Sequence, residues 1–268
     1  MAAGPDTRLH RTKGAGCLTA VTDDAVLDFW TARDICEGDH EIHNPLSRAG
    51  LDLVTEHLDV RDGYRVLDVG CGNGWYLAHL ATRWAVEGTG IDANPHFVRR
   101  ARSLAVPAGS VLHFVEARAD DRPVEPGSVD TFLCIGSTFA YGGYAPTLAR
   151  AAHALRPGGR AAVGDLFRGP TQQIPDATML GRPETMAEQL DHVIAAGLEV
   201  VAVFASDTRD WDAYKSRIWQ TTLRWADEHP DDARTAALLA ELTVRREEYL
   251  RTTRPFARWA VLVARKPA

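Results

Sequence analysis

Three groups of residues in this chain have types and spacings suited to chemistry. The polar run EGDHEIHNP, residues 37–45, carries His40 and His43. A neutral imidazole offers a lone pair to a proton near neutral pH. Asp165 follows the apolar segment 161–164 and could orient a reacting group, although an ordinary carboxylate is a weaker base at that pH. The third group is VLDVGCGNG, residues 66–74, in which Gly70, Gly72 and Gly74 directly follow an apolar run interrupted by Asp68. Glycines there allow a ligand to lie against bare backbone, and a helix beginning at Trp75 would add unsatisfied N–H groups. Asp92 closes the next apolar segment, Gly90-Ile91, where a carboxylate can accept hydrogen bonds from both hydroxyls of a ribose.

Each group also has a bland reading. The histidines can sit partly exposed beside helix ends held by Asp39 and Asn44. Asp165 can cap a turn, and the glycines can serve a turn alone. The proton-transfer reading puts His43 first, because Asn44-Pro45 would fix its backbone, with His40 and Asp165 next. No metal is expected. The four cysteines Cys17, Cys36, Cys71 and Cys134 form no CxxC pair, and the histidines lack the further ligands a metal needs.

The elements needed to position these residues can be read in order. Val21–Cys36, capped by Thr22, and residues 46–58, with Leu46, Leu51, Val54 and Leu58 facing inward, give two helices before the glycine turn. Residues 1–20 read as a flexible arm. Strands are expected at about 65–69, 88–92, 111–115, 129–135, 160–165 and 198–204, and a last one from Phe256 to Ala264. Helices fall between them at about 75–85, 95–105, 144–155 and Pro183–Ala196. Pro157, Gly158 and Gly159 should break the helix before the fifth strand, and FRGPTQQIPD, 167–176, should be a surface loop. Strand and helix alternating in this way give an open, doubly wound sheet.

The stretch 66–74, Asp92 and the later LRPGG at 155–159 resemble the class I S-adenosylmethionine-dependent methyltransferases. The spacing is GxGxG rather than the GxGxxG of dinucleotide sites, and the similarity spans roughly residues 60–170. The resemblance implies an α/β fold: a Rossmann-like, mostly parallel seven-stranded sheet binding S-adenosyl-L-methionine. It assigns Asp68, Gly70, Cys71, Gly72, Asn73, Gly74, Asp92, Ala93 and Ala119 to the cofactor. The end of the fourth strand should open beside it at Cys134, and Phe139 and Tyr141 would shape the acceptor side or pack helix against sheet. There is one departure. The family's acid toward the adenine amino group falls on Arg118, a donor that cannot accept that hydrogen. Ala119 can still present its backbone, and Glu116, Asp120 or Asp121 are the carboxylates available to substitute.

Between the last two strands the chain takes a long excursion, 207–255. Trp211, Tyr214 and Trp219 recur there near helical spacing, and Pro230 separates a second helix at 233–250. The expected organisation is therefore a helical cover at 1–60, a cofactor-binding core at 61–206, a helical lid insertion at 207–255 and the final core strand at 256–268. The three aromatic residues would enclose an organic acceptor or pack the insertion onto the core. A formal net charge of −6 without a long basic tract argues against a nucleic-acid substrate. No stretch reads as a secretory signal or membrane span, so a cytoplasmic monomer or homodimer is expected. Methylation of a small organic molecule, in bacterial specialised metabolism, is the function expected. A ligand-binding module that lost transfer and an RNA methyltransferase are the alternatives.

Overall fold

The computed structural model describes residues 27–169 and 183–268. The expected arm, the Thr22 cap and most of the loop after residue 169 lie outside the described residues. Seven strands form one sheet in the order β3-β2-β1-β4-β5-β7-β6. They are β1 Arg65–Val69, β2 Glu87–Asp92, β3 Val111–Glu116, β4 Val129–Ile135, β5 Leu155–Arg168, β6 Glu199–Ala205 and β7 Ala257–Arg265. The first five pair in parallel, while β7 runs antiparallel between β5 and β6. The strand order reverses between β1 and β4, and ligands bind at such a switch, beyond the carboxyl ends of the strands.

Helices cover both faces. Before the sheet come α1 Phe29–Glu37 and α2 Arg48–His57; within it lie α3 Trp75–Ala81, α4 Pro95–Arg102, α5 Tyr144–Ala154 and α6 Met186–Ala195. The insertion contributes α7 Thr208–Glu228 and α8 Thr235–Glu248, followed by a π-helical turn at Tyr249–Thr253. One apolar layer joins α2, α3 and the insertion through Leu51, Val54, Leu77, Leu80, Trp211 and Trp259. The other, beneath α5 and α6, contains Phe132, Cys134, Leu148, Leu155 and Val193. Burying each such large side chain contributes about 1.5–3 kcal/mol.

The differences from the sequence expectations have local causes. Helix α1 starts at Phe29 because the Asp28 carboxylate accepts the Trp30 and Thr31 N–H groups. Helix α6 starts at Met186, not Pro183, because Thr185 and Glu188 form a capping box. The Pro-Gly-Gly segment lies inside β5. Leu155 pairs with Val129 and Arg160 with Thr131, so the intervening residues bulge out of the ladder. Strand β5 then continues to Arg168, so Phe167 and Arg168 are sheet residues paired with β7 rather than members of the expected loop.

Candidate active site

The glycine turn joins β1 to α3. Gly70, Gly72 and Gly74 all have positive φ, at +70°, +54° and +78°. Each also faces a neighbour that a side chain would strike. A Cβ would lie 2.1 Å from Ser137 Oγ at Gly70, 2.7 Å from His43 Nδ1 at Gly72 and 2.7 Å from the Phe114 ring at Gly74. Cys71 is buried against Gly90, where a Cβ would lie 2.8 Å from its Sγ. Asp92 holds the same turn from β2. Its carboxylate accepts the Gly72 N–H at 2.8 Å and the Asn94 N–H at 2.7 Å. Burial pushes the Asp92 carboxyl above its usual range, against those two hydrogen bonds. Each of its oxygens keeps a lone-pair direction for a ligand hydroxyl. Asp68 is 5% exposed, and burial together with the nearby Asp92 raises it to about 7.

This cradle fits S-adenosylmethionine. It offers bare glycine backbone at the end of β1, a carboxylate at the end of β2 and a second buried carboxylate beneath. Ala93 follows Asp92 half-buried, and Ala119 is buried in the short 3-10 turn Ala119–Asp121 after β3. Arg118 opens that turn exposed, and Asp120 lies 3.8 Å from Arg150. Cys134 is fully buried in the layer beneath α5, and burial raises its thiol well above the ordinary value. What Cys134 can present to a cofactor is therefore backbone.

The segment 37–45 closes over this cradle. Asn73 Nδ2 donates to the His40 carbonyl at 2.9 Å and to the Glu41 carbonyl at 3.1 Å, while its Oδ1 accepts the Trp75 N–H. Trp75 Nε1 donates to Glu41 Oε1 at 2.9 Å. His40 is thereby drawn inward, while His43 stays partly exposed as a residue with its ring nitrogens turned inward. His40 is 2% exposed. Its ring lies 5.5 Å from that of Tyr214, and the His43 ring lies 4.5 Å from that of Phe97. All four imidazole nitrogens are shielded from solvent and lack a hydrogen-bond partner. Burial lowers His40 to about 4 and also lowers His43, against the attraction of Glu37 in both cases. Both rings are neutral at physiological pH.

Sequence reasoning missed Glu37. It is completely buried at the end of α1, where its Oε1 accepts from the Tyr214 hydroxyl at 2.9 Å and its Oε2 pairs with Arg33 at 2.6 Å. Burial disfavours its charge, but Arg33, His43 and the Tyr214 hydrogen bond together hold its carboxyl below the usual range. The only signal was the i,i+4 spacing of Arg33 and Glu37, which ordinarily marks an exposed helix pair.

The remaining expected residues separate. Asp165 is half-buried, and Thr138 Oγ1 and the Leu166 N–H both donate to its carboxylate. Burial raises it, opposed by these bonds. Through Thr138 it is tied to the turn after β4. Phe139 in that turn is 43% exposed, while Tyr141 is buried with Arg150 over its ring at 5.6 Å. Trp211 and Trp219 both pack edge-on to Tyr249 at 5.8 Å, so their rings are engaged within the insertion and core. Of the three expected aromatics, Tyr214 alone reaches the histidine segment, through Glu37 and the His43 carbonyl at 3.5 Å. Among the described residues no helix is long and apolar enough to cross a membrane, and no three His, Cys, Asp or Glu side chains gather around a possible metal.

Comparison with known proteins agrees with this geometry. Residues 66–159 match the methyltransferase domain family. The uncharacterised protein YjhP of Escherichia coli K12 is 30% identical over 244 residues, covering 86% of this chain and 97% of YjhP. A SAM-dependent methyltransferase from Geobacter sulfurreducens, solved with S-adenosyl-L-homocysteine, superposes with a TM-score of 0.77 at 28% identity, covering 88% of this chain and 97% of that one. The O-methyltransferase cnsE of Penicillium expansum is 34% identical over 57% of this chain and 59% of its own length. This chain belongs to the class I S-adenosylmethionine-dependent methyltransferases, and is an enzyme that transfers the methyl group of S-adenosylmethionine to a small molecule.

Proposed function

We propose that the acceptor is a small organic molecule bearing a hydroxyl group, and that His43 takes its proton. The observation carrying this reading is the His43 imidazole, held neutral against the bare backbone of Gly72, with both nitrogens shielded from solvent and neither in a well-formed hydrogen bond. A buried ring nitrogen without a partner costs free energy unless a ligand supplies one. An amine of low pKa needs no base, whereas a hydroxyl does. The likeness to an O-methyltransferase supports the same choice.

When bound, S-adenosylmethionine supplies an electrophilic methyl group on a sulfonium, whose bonding pair stays on sulfur as the methyl leaves. The chain's own residues do the rest. Gly70, Gly72, Gly74 and Asp92 hold the donor, with Asp68, Asn73, Ala93, Ala119 and the backbone at Cys134 around it. The 37–45 segment, latched by Asn73 and Trp75, excludes water that would compete for the methyl. His43 accepts the hydroxyl proton while the acceptor oxygen forms its bond to carbon, and His40 lies 6.5 Å behind it, ring centre to ring centre. Residues 207–255 form the outer wall of the acceptor site, with Tyr214 its contact to the 37–45 segment. Specialised metabolism suits such an acceptor.

A screen of hydroxylated and amine metabolites, read out by S-adenosylhomocysteine formation and product mass, tests the acceptor class. Products confined to N-methyl compounds would overturn it. With an acceptor in hand, His43→Gln should bind donor normally and slow single-turnover transfer at least tenfold. An unchanged rate and pH profile would remove His43 as the proton acceptor.

A further inference from the structure

We propose that Glu37 is the positioning residue of the histidine pair. Its buried carboxylate favours proton uptake by the imidazoles, and Tyr214 ties it to the inserted helix α7. This deepens the proton-acceptor reading of His43 and rests on it.

The geometry is a closed set of contacts. Glu37 ends α1, and its carbonyl accepts the His40 N–H at 2.9 Å, so the backbone enters the histidine segment directly from it. Its carboxylate is bonded from both sides, by Arg33 at 2.6 Å and by the Tyr214 hydroxyl at 2.9 Å. The same Tyr214 hydroxyl lies 3.5 Å from the His43 carbonyl, and its ring meets that of His40 edge-on. One tyrosine on α7 therefore touches Glu37, His40 and His43. The fold does not need an ionised group here. Burying a carboxylate costs several kcal/mol, and well-packed apolar side chains would stabilise a helix contact equally well or better.

The charge has a use in the reaction. An imidazole that accepts a proton becomes a cation in a buried place, and the field around it decides what that costs. Facing the pair are Arg33 from α1, Arg100 from α4, Arg217 from α7 and Glu37 itself. The three cations oppose an imidazolium. Glu37 is the carboxylate that acts in its favour on both rings. This is the role of the third group in a nucleophile–base–orienter set: it does not take the proton but stabilises the group that does. The link to Tyr214 also ties one oxygen of that carboxylate to α7, while Arg33 holds the other from α1.

Histidine-resolved NMR titration of the full chain saturated with S-adenosylhomocysteine tests this without an acceptor. Glu37→Gln should displace the His43 and His40 midpoints downward, and Glu37→Asp should restore part of the displacement. Should Glu37→Gln fail to fold, Arg33→Met carries the same test with the opposite sign, because removing that cation should move the midpoints upward. Midpoints that stay put in a folded variant overturn the proposal and leave Glu37 as a structural ion pair. With an acceptor identified, Glu37→Gln should lower kcat at least tenfold with little change in donor KM. Equal losses in both, with unmoved midpoints, would likewise overturn it. Failure of the proton-acceptor reading would show separately, as full transfer by His43→Gln with the titration shifts intact.

Discussion

The Asn73 side chain donates to the His40 carbonyl at 2.9 Å, joining the glycine turn to a segment 33 residues earlier in the chain. Its carbonyl oxygen simultaneously accepts the Trp75 N–H at the start of α3. One carboxamide thus caps a helix and latches the cover, a use distinct from ligand contact. Asn73→Ala should cost about 1–2 kcal/mol of stability, the combined value of a cap and a partly buried hydrogen bond. It should also raise amide exchange in residues 37–45 well above that of β1 and β4. Uniform exchange would mean the segment is held by packing alone.

Asp92→Ala removes the acceptor that holds the Gly72 and Asn94 N–H groups and any ribose hydroxyl. Calorimetric titration with S-adenosylmethionine should show affinity weakened by about 1–3 kcal/mol. Unchanged affinity in a folded variant would move the ribose contact elsewhere. The comparison residue is Arg118: it is exposed, and Arg118→Ala should leave donor affinity within about 0.5 kcal/mol.

The core of this site was legible because its chemistry is local. The GxGxG turn and the acid after β2 are adjacent to strand signals, and the positive φ values at Gly70, Gly72 and Gly74 are what such a turn requires. The strand pattern failed only where a feature was short or irregular, as in the bulge that takes Pro-Gly-Gly into β5. What escaped was non-local. Glu37 and Tyr214 are 177 residues apart, and nothing in either segment marks the contact. Asp165 shows the same limit: its place in β5 is local, but its bond from Thr138, in another strand's turn, is not. Trp211 and Trp219 had the spacing of a lid, yet both turn toward Tyr249, which enters from after α8.

Asp68 should make stability fall as pH rises. Its folded value of about 7 lies above the ordinary carboxylate value because burial and Asp92 disfavour its charge. A raised value means that the folded state binds the proton more tightly than the unfolded chain. The associated stability is complete below the ordinary carboxylate value, declines as pH rises toward about 7, and is absent above it. Asp68→Asn removes this dependence. Its stability relative to wild type, from urea unfolding, should be a few kcal/mol more favourable at pH 8 than at pH 4, at about 1.4 kcal/mol per unit of displacement. A pH-independent difference would show that Asp68 is ionised at no cost in the fold.

Trp211 is 5% exposed between the insertion and the sheet. Trp211→Ala should destabilise the protein by about 3–5 kcal/mol, the usual cost of removing a large buried aromatic. Trp219→Phe keeps an aromatic ring beside Tyr249 and should cost under about 1.5 kcal/mol. Chemical denaturation measures both. An active, fully stable Trp211→Ala would mean that the insertion docks without this ring.

Gly72→Ala tests the contact that joins donor cradle and proton acceptor. Two effects follow from one added methyl group. The backbone at φ +54° is strained for any residue with a Cβ, at a cost of about 1–2 kcal/mol. The new Cβ would also lie 2.7 Å from His43 Nδ1, so the imidazole must move. The cover can give way more readily than the turn, which Asp92 holds through the Gly72 N–H. The histidine should therefore be displaced while the turn keeps its shape. Gly70→Ala is the control: it is strained in the same way, but its Cβ strikes Ser137 from the turn after β4 and not the histidine. Both variants should lose a similar amount of thermal stability. In single-turnover assays at saturating donor, Gly72→Ala should lose at least tenfold more rate than Gly70→Ala, and its His43 ring resonances should shift. Equal rate losses, with His43 resonances unmoved in Gly72→Ala, would separate the glycine turn from proton transfer and leave donor binding as its sole role.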